Sequence, residues 1–246
     1  MLFGLIMALP IAIAAGWPPG LDGASLGWLV IVGATNVAGL ALLYTALRRG
    51  RVGVVASIAS TQGAIAALIA IATGERPGVI TIVGFVPVMV GIVLVTFHTR
   101  EVADDPGDPL GTTVGLAATA ATLFAVGLYA AGQASQAVPV GWVALPARVV
   151  GVGVLIGALS FGMRPLVAIP KAYLAIATGF FEVVGILCFA LGARDGIAVT
   201  SVVSSQFAAL SVVGAYFLFR EHLQRRQVVG VAILAAGVAM VALGAA

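Results

Sequence analysis

Apolar runs of about 20 residues recur from one end of this 246-residue chain to the other, and the polar stretches between them are too short to fold alone, the longest being His98 to Pro109. An α-helix rises about 1.5 Å per residue, so about 20 apolar residues cross a hydrocarbon core of about 30 Å. Eight runs reach that length: Gly27 to Leu47, Val52 to Thr73, Val79 to Phe97, Leu110 to Ala131, Pro139 to Phe161, Ala172 to Leu191, Ile197 to Phe219 and Gln227 to Leu243. A ninth, Met1 to Ala15, is short. It ends in small residues as a secretory signal does, but no basic residue precedes Arg48, so it reads as a clipped membrane helix. Backbone in lipid must satisfy its own hydrogen bonds, and continuous apolar runs are helices, not the alternating strands of a barrel. The composition agrees: 61% of residues are hydrophobic and 9% charged, against about a quarter charged in soluble domains. The expected fold is an all-α, polytopic membrane protein of about nine helices.

Alternate loops divide the basic residues unevenly. Arg48, Arg49, Arg51, Arg100, Arg164, Lys171, Arg220, Arg225 and Arg226 fall on one side, Arg76 and Arg194 on the other, and Arg148 lies inside a span. The positive-inside rule places the richer side, with Met1, in the cytoplasm and the C-terminus outside, in a cytoplasmic (inner) membrane. With a net charge of only +3 spread over such loops, nucleic acid is not an expected partner. The lone cysteine, Cys188, lies in an apolar run, and His98 and His222 are isolated, so no disulfide, zinc set or nucleophile–base pair is expected. There is no GxxxxGK[ST] motif. No cofactor and no enzymatic activity are expected, and transport energy would come from a gradient or a partner.

Sliding the chain against itself by 146 residues brings its punctuation into register: Gly33 falls on Gly179, Gly39 on Gly185, Arg48 on Arg194, Gly50 on Gly196, Glu75 on Glu221, Gly84 on Gly230 and Gly91 on Gly237. The expected organisation is a first repeat over 1–97, a connecting loop over 98–109 and a second repeat over 110–246. The second repeat has two helices before the paired region where the first has only the Met1 segment. Roughly 36 residues, including a first helix, would complete two five-helix units. Five is odd, so tandem copies run through the membrane in opposite directions, an inverted repeat of the kind that secondary transporters use for alternating access.

The run "LLYTALRRGRVGVVASIASTQGAIAALIAIATGERPGVITIVGFVPVMVGIVLV" resembles the closing helices of an EamA-type repeat of the drug/metabolite transporter superfamily, and "FALGARDGIAVTSVVSSQFAALSVVGAYFLFREHLQRRQVVGVAILAAGVAMV" repeats it. The resemblance implies a ten-helix transporter of two EamA-like domains that moves small metabolites, such as amino acids or related polar compounds, often outward. The chain departs from the family in its missing first helix and in lacking the central proline at Gln62 and Gln206. Family members also place both termini in the cytoplasm, unlike the charge count here.

An ionisable residue at the bilayer centre costs about 2.5 to 3.5 kcal/mol on insertion scales, so one that is kept faces protein or a water-filled cavity. Arg148 and Glu182 each lie about 14 to 15 Å into a span, and Asn36, Gln62 and Gln206 sit at similar depth. These five are the candidate substrate-binding residues. Arg148 suits a carboxylate or phosphate, and Glu182 an amine or a coupling proton, unless the two simply neutralise one another while the amides cross-link helices. Tyr44, Tyr129 and Trp142 read as interfacial anchors or chamber lining. Glu75 and Glu221 read as helix caps or partners of Arg76 and Arg220. Pro10, Pro87 and Pro146 are expected to kink their helices, and Gly111/Gly115 and Gly153/Gly157 have the spacing of close helix approach. The expected function is a secondary transporter, an exporter of small polar metabolites. The alternatives are a multidrug or cationic-compound exporter of the same superfamily, or a non-transporting scaffold or truncated paralogue. The partners are a small-molecule substrate, the lipid bilayer and a coupling ion; the sequence does not define an oligomeric state.

Overall fold

In lipid the outer surface of a protein is apolar, so what distinguishes interior from exterior is side-chain size. The computed structural model, which describes residues 1–18, 21–49, 52–97, 110–161, 172–204 and 225–245, follows that rule. Its core consists mostly of alanines, such as Ala8, Ala46, Ala66, Ala117 and Ala134. Large apolar side chains point outward, among them Val79, Ile80, Ile82, Val83 and Val86 in one helix and Tyr173, Ile176, Phe180 and Phe181 in another. Among the described residues all regular elements are helical: α1 (Leu2–Ala14), α2 (Gly23–Arg49), α3 (Val52–Ala59), α4 (Gln62–Ala72), α5 (Val79–Phe97), α6 (Leu110–Ala137), α7 (Val140–Val143), α8 (Leu145–Ser160), α9 (Ala172–Gly192), α10 (Ile197–Ser204) and α11 (Arg225–Ala245). Three stretches, Gly23–Arg49, Gly111–Ala137 and Val140–Gly157, are by themselves long and apolar enough to cross a bilayer, and the other apolar helices are shorter over their described residues. The fold is that of an all-α, polytopic membrane protein. Hydroxyls within the helices bond back to their own backbone, as Thr35 does to Ile31 O (2.7 Å) and Thr45 to Ala41 O (2.7 Å), so they enter lipid satisfied.

Several spans differ from the sequence reading. The α6 helix runs six residues past Ala131, because the polar groups that suggest a loop are satisfied on the helix: Gln133 donates to Tyr129 Oη (2.9 Å) and Ser135 Oγ to Gly132 O (2.7 Å). The expected span from Val52 breaks into α3 and α4 without a proline. At the break the Thr61 backbone N–H turns to Ile58 O (3.1 Å), three residues back, and the Thr61 hydroxyl bonds the same carbonyl (2.7 Å). The span from Pro139 is interrupted at Ala144. Pro146 is therefore the second residue of α8, where its missing N–H costs nothing, and not an interior kink. A Cβ on Gly111, Gly115, Gly153 or Gly157 would meet nothing within 4 Å, so these four are not sites of close approach.

The chain divides into two compact units, Met1–Val37 with Val126–Asp195, and Ala38–Ala125 with Gly196–Ala246. In the first, α1 packs against α7, α8 and α9, over a core of Ala8, Ala144 and Val183. In the second, α5 packs along α11 and α4 against α10. The α5/α11 crossing depends on glycine. A Cβ on Gly91 would stand 2.5 Å from Leu234 Cβ and 2.8 Å from Gly230 O, and one on Gly237 would stand 2.8 Å from Val88 Cγ2 and 3.1 Å from Gly84 O.

Candidate functional site

In the first unit, α8 and α9 carry the two charges that the sequence places deepest, and the fold joins them. Arg148 Nη1 lies 2.6 Å from Glu182 Oε1. Arg148 is eight residues from the start of α7, about 12 Å deep, and Glu182 is ten residues from either end of α9, about 15 Å, so the pair sits near the middle of a 30 Å core. The small residues of α1 make room for it. A Cβ on Gly4 would stand 2.9 Å from Arg148 Cδ and 3.0 Å from Nε, so a larger residue there would displace the guanidinium. Arg148 Nη1 also reaches Met1 Sδ at 3.6 Å.

The two members of the pair differ in access. The arginine side chain is 2% exposed and the glutamate 33%. Arg148 Nε is buried with no hydrogen-bond partner. Chemically, the reachable group is a carboxylate whose charge is balanced from behind by a buried guanidinium. A proton or an incoming cation meets Glu182 first, whereas an anion must displace Glu182 to reach Arg148.

Asn36 belongs to the same unit, on α2, half-buried and with Oδ1 buried and unpartnered. Gln62 belongs to the second unit, where it is half-buried and opens α4. Gln206, like Glu221, His98 and His222, lies outside the described residues. Tyr44 is 58% exposed. Tyr129 stacks edge-on with Trp28 (5.8 Å between centroids), and Trp142 stacks edge-on with Trp17 (5.2 Å) while its Nε1 donates to Gly16 O (2.9 Å). Among the described residues no group of three His, Cys, Asp or Glu side chains could hold a metal.

Helix ends carry further polar contacts. Arg194 Nε donates to Ser135 O (3.0 Å) and its Nη2 to Val138 O (3.3 Å), closing the C-terminus of α6 with a positive charge. Gln136 Nε2 answers by donating to Ala193 O (3.0 Å) and Arg194 O (3.2 Å), at the end of α9. The sequence reading passed over Gln136 because it ended α6 too early. Asp22, just before α2, accepts from the Ser25 hydroxyl (2.5 Å) and backbone N–H (2.8 Å). The hydroxyl first, and then the N–H, hold its carboxyl below the usual Asp range. Glu75 is a cap, one of the two roles expected of it: its Oε1 accepts from Ile197 N–H and its Oε2 from Ala198 N–H, both at 2.9 Å.

Residues 1–97 match the EamA-like transporter family, which bears out the resemblance over that part of the chain. Among solved structures, one titled "Crystal structure of protein" superposes with a TM-score of 0.73 at 18% identity, covering 98% of this chain and 86% of that one. The likeness shows that the fold is shared. No curated protein matches the chain.

Proposed function

We propose that this chain, whose first 97 residues match a family of membrane transporters, is a secondary transporter that carries a small polar metabolite bearing a cationic group outward across the inner membrane. The observation that carries this reading is the ion pair near the bilayer middle with only its carboxylate side reachable, Glu182 at 33% exposure against Arg148 at 2%. A buried guanidinium faces the Glu182 carboxylate while no substrate is bound. A substrate amine or a coupling proton then exchanges for Arg148 at the carboxylate, and no net charge has to be buried afresh at each turn. Asn36, in the same unit and with an unsatisfied acceptor, is the polar group we assign to orienting the rest of the substrate.

Alternating access requires two interchangeable arrangements, which an inverted repeat supplies. The α5/α11 crossing supports such a repeat. Gly91 approaches Leu234 and Gly230, and Gly237 approaches Val88 and Gly84, and the 146-residue offset exchanges one set of contacts for the other. The same ion pair also favours a second reading, export of lipophilic cations, since Glu182 cancels the positive charge that would otherwise repel them.

The test is to compare metabolites in the medium of cells expressing the native chain, Arg148→Ala and Glu182→Gln at matched protein levels. An amine-bearing compound released by the native chain and lost in Glu182→Gln is expected. If every exported compound is purely anionic, or if Glu182→Gln exports as well as the native chain, the proposal fails. Arg148→Ala cells that resist toxic lipophilic cations better than native cells would favour the second reading.

A further inference from the structure

The N-terminus of α10 takes its cap from the turn that follows α4, although a local cap would fit. Gly196 immediately precedes the helix. Its φ is not positive, and a Cβ there would meet nothing closer than Val199 Cγ2 at 3.9 Å, so neither backbone nor space excludes the Ser, Asp or Asn that usually caps a helix. The two leading N–H groups instead bond the carboxylate of Glu75, 122 and 123 residues away in sequence. Glu75 is itself held in place. Gly74, at φ +118, ends α4 in a Schellman turn, with Gly74 N–H on Ile71 O (3.1 Å) and Glu75 N–H on Ala70 O (3.0 Å). The negative charge thus stands at the positive end of the α10 dipole.

Beneath this contact the two helices pack through small side chains. The buried residues of α4 are Gly63, Ala66, Ala67 and Ala70, and those of α10 are Ile197, Ala198, Ser201 and Val202. Ser201 Oγ is fully buried with no hydrogen-bond partner, so it gains one when water enters. With an unsatisfied hydroxyl inside the face and a charge-assisted clasp at one end, release of the clasp is the step that exposes the Ser201 side of the pairing.

We propose that Glu75 is a positioning residue of the transport cycle, a latch that holds α4 and α10 together at the membrane face where α4 ends and α10 begins, and releases them when that face opens. The proposal rests on the transporter reading for its purpose, but its test requires no substrate and does not touch Arg148 or Glu182. The parent for the test is Cys188→Ser with Ser201→Cys, a single reporter cysteine that is buried in the closed pairing, probed with a membrane-impermeant maleimide applied to either membrane face. Glu75→Ala is expected to raise the labelling rate about tenfold, from the face bearing residues 73–78 only, since two charge-assisted hydrogen bonds are lost. Adding Gly196→Asp to Glu75→Ala caps α10 locally without tying it to α4, so labelling should stay fast. No acceleration, equal acceleration from both faces, or a return to the parent rate with Gly196→Asp would each overturn the proposal, the last because Glu75 would then be a cap and nothing more. Should Glu75→Ala fail to reach the membrane, Glu75→Gln is expected to accelerate labelling more modestly from the same face, and its failure to do so counts equally against the latch.

Discussion

Removing Glu182 should destabilise the first unit far more than removing both members of its ion pair. In Glu182→Ala, Arg148 remains 2% exposed, with its Nη1 stripped of the carboxylate at 2.6 Å and its Nε already without a partner. Breaking a buried pair from one side costs about 3 to 5 kcal/mol, because the surviving charge is uncompensated. The 33% exposure of Glu182 leaves one side of the pair outside the packed interior, which favours the lower end, about 3 kcal/mol. That is about two orders of magnitude in the folding equilibrium. The double variant Arg148→Met with Glu182→Leu leaves no charge behind and should lie within about 1 kcal/mol of the native chain, about 2 kcal/mol more stable than Glu182→Ala. Trp17, Trp28 and Trp142 are the only tryptophans and all belong to this unit, so their fluorescence during detergent-driven unfolding in mixed micelles reports on it directly. Equal stability of Glu182→Ala and the native chain, or a double variant as weak as Glu182→Ala, would refute the reasoning.

Two further predictions concern packing and pH. Gly91→Ala places a methyl 2.5 Å from Leu234 Cβ and 2.8 Å from Gly230 O, where backbone cannot yield, and should cost about 1 to 3 kcal/mol. Gly185→Ala, in α9 with nothing within 4 Å, should be neutral or stabilise by up to about 1 kcal/mol, and far-UV circular dichroism during unfolding separates the two. Asp22 has a folded-state pKa below its unfolded value, so its contribution is complete above the unfolded value of about 4 and is lost as pH falls through the lower folded one. Asp22→Asn should therefore run below the native melting-temperature profile near neutrality and converge on it below about pH 4, with a flatter acid side; a profile of unchanged slope counts against the contact with Ser25.

Much of the fold is legible because lipid demands continuous apolar length, and α5 begins and ends at Val79 and Phe97 as its run does. What is hidden are the places where polar side chains satisfy themselves. Gln133 and Ser135 look like loop residues, yet each bonds within its own helix, and α6 continues through them to Ala137. The α3/α4 break is hidden for the opposite reason. It is made by Thr61 turning back to Ile58 O, with no proline to mark it. Depth alone singles out Arg148 and Glu182, and their pairing is one of the arrangements the sequence allows. That Gly4 is what admits the arginine is not readable in a chain with 32 glycines. Nor does any local pattern connect Glu75 to a helix that starts more than a hundred residues later; next to Arg76 it looks equally like half of a surface ion pair.

The inversion of size across these helices explains why glycine spacing carries more information here than polarity. In water, a helix face is read from the contrast between apolar and charged residues; in lipid both faces are apolar, and the contrast that remains is between Ala or Gly within and Val, Ile or Phe without. A repeat in such a chain would therefore show first at positions where only glycine fits. Gly84, Gly91 and Gly237 belong to that set at the α5/α11 crossing, where Gly230 O lies against Gly91. Gly111, Gly115, Gly153 and Gly157 carry the same local spacing but have no counterparts among the offset pairs, and they touch nothing. At the α5/α11 crossing the glycines that agree in register are ones the packing needs, whereas Gly4, Gly127, Gly141 and Gly244 meet close neighbours without an offset partner and Gly185 has a partner but meets nothing within 4 Å.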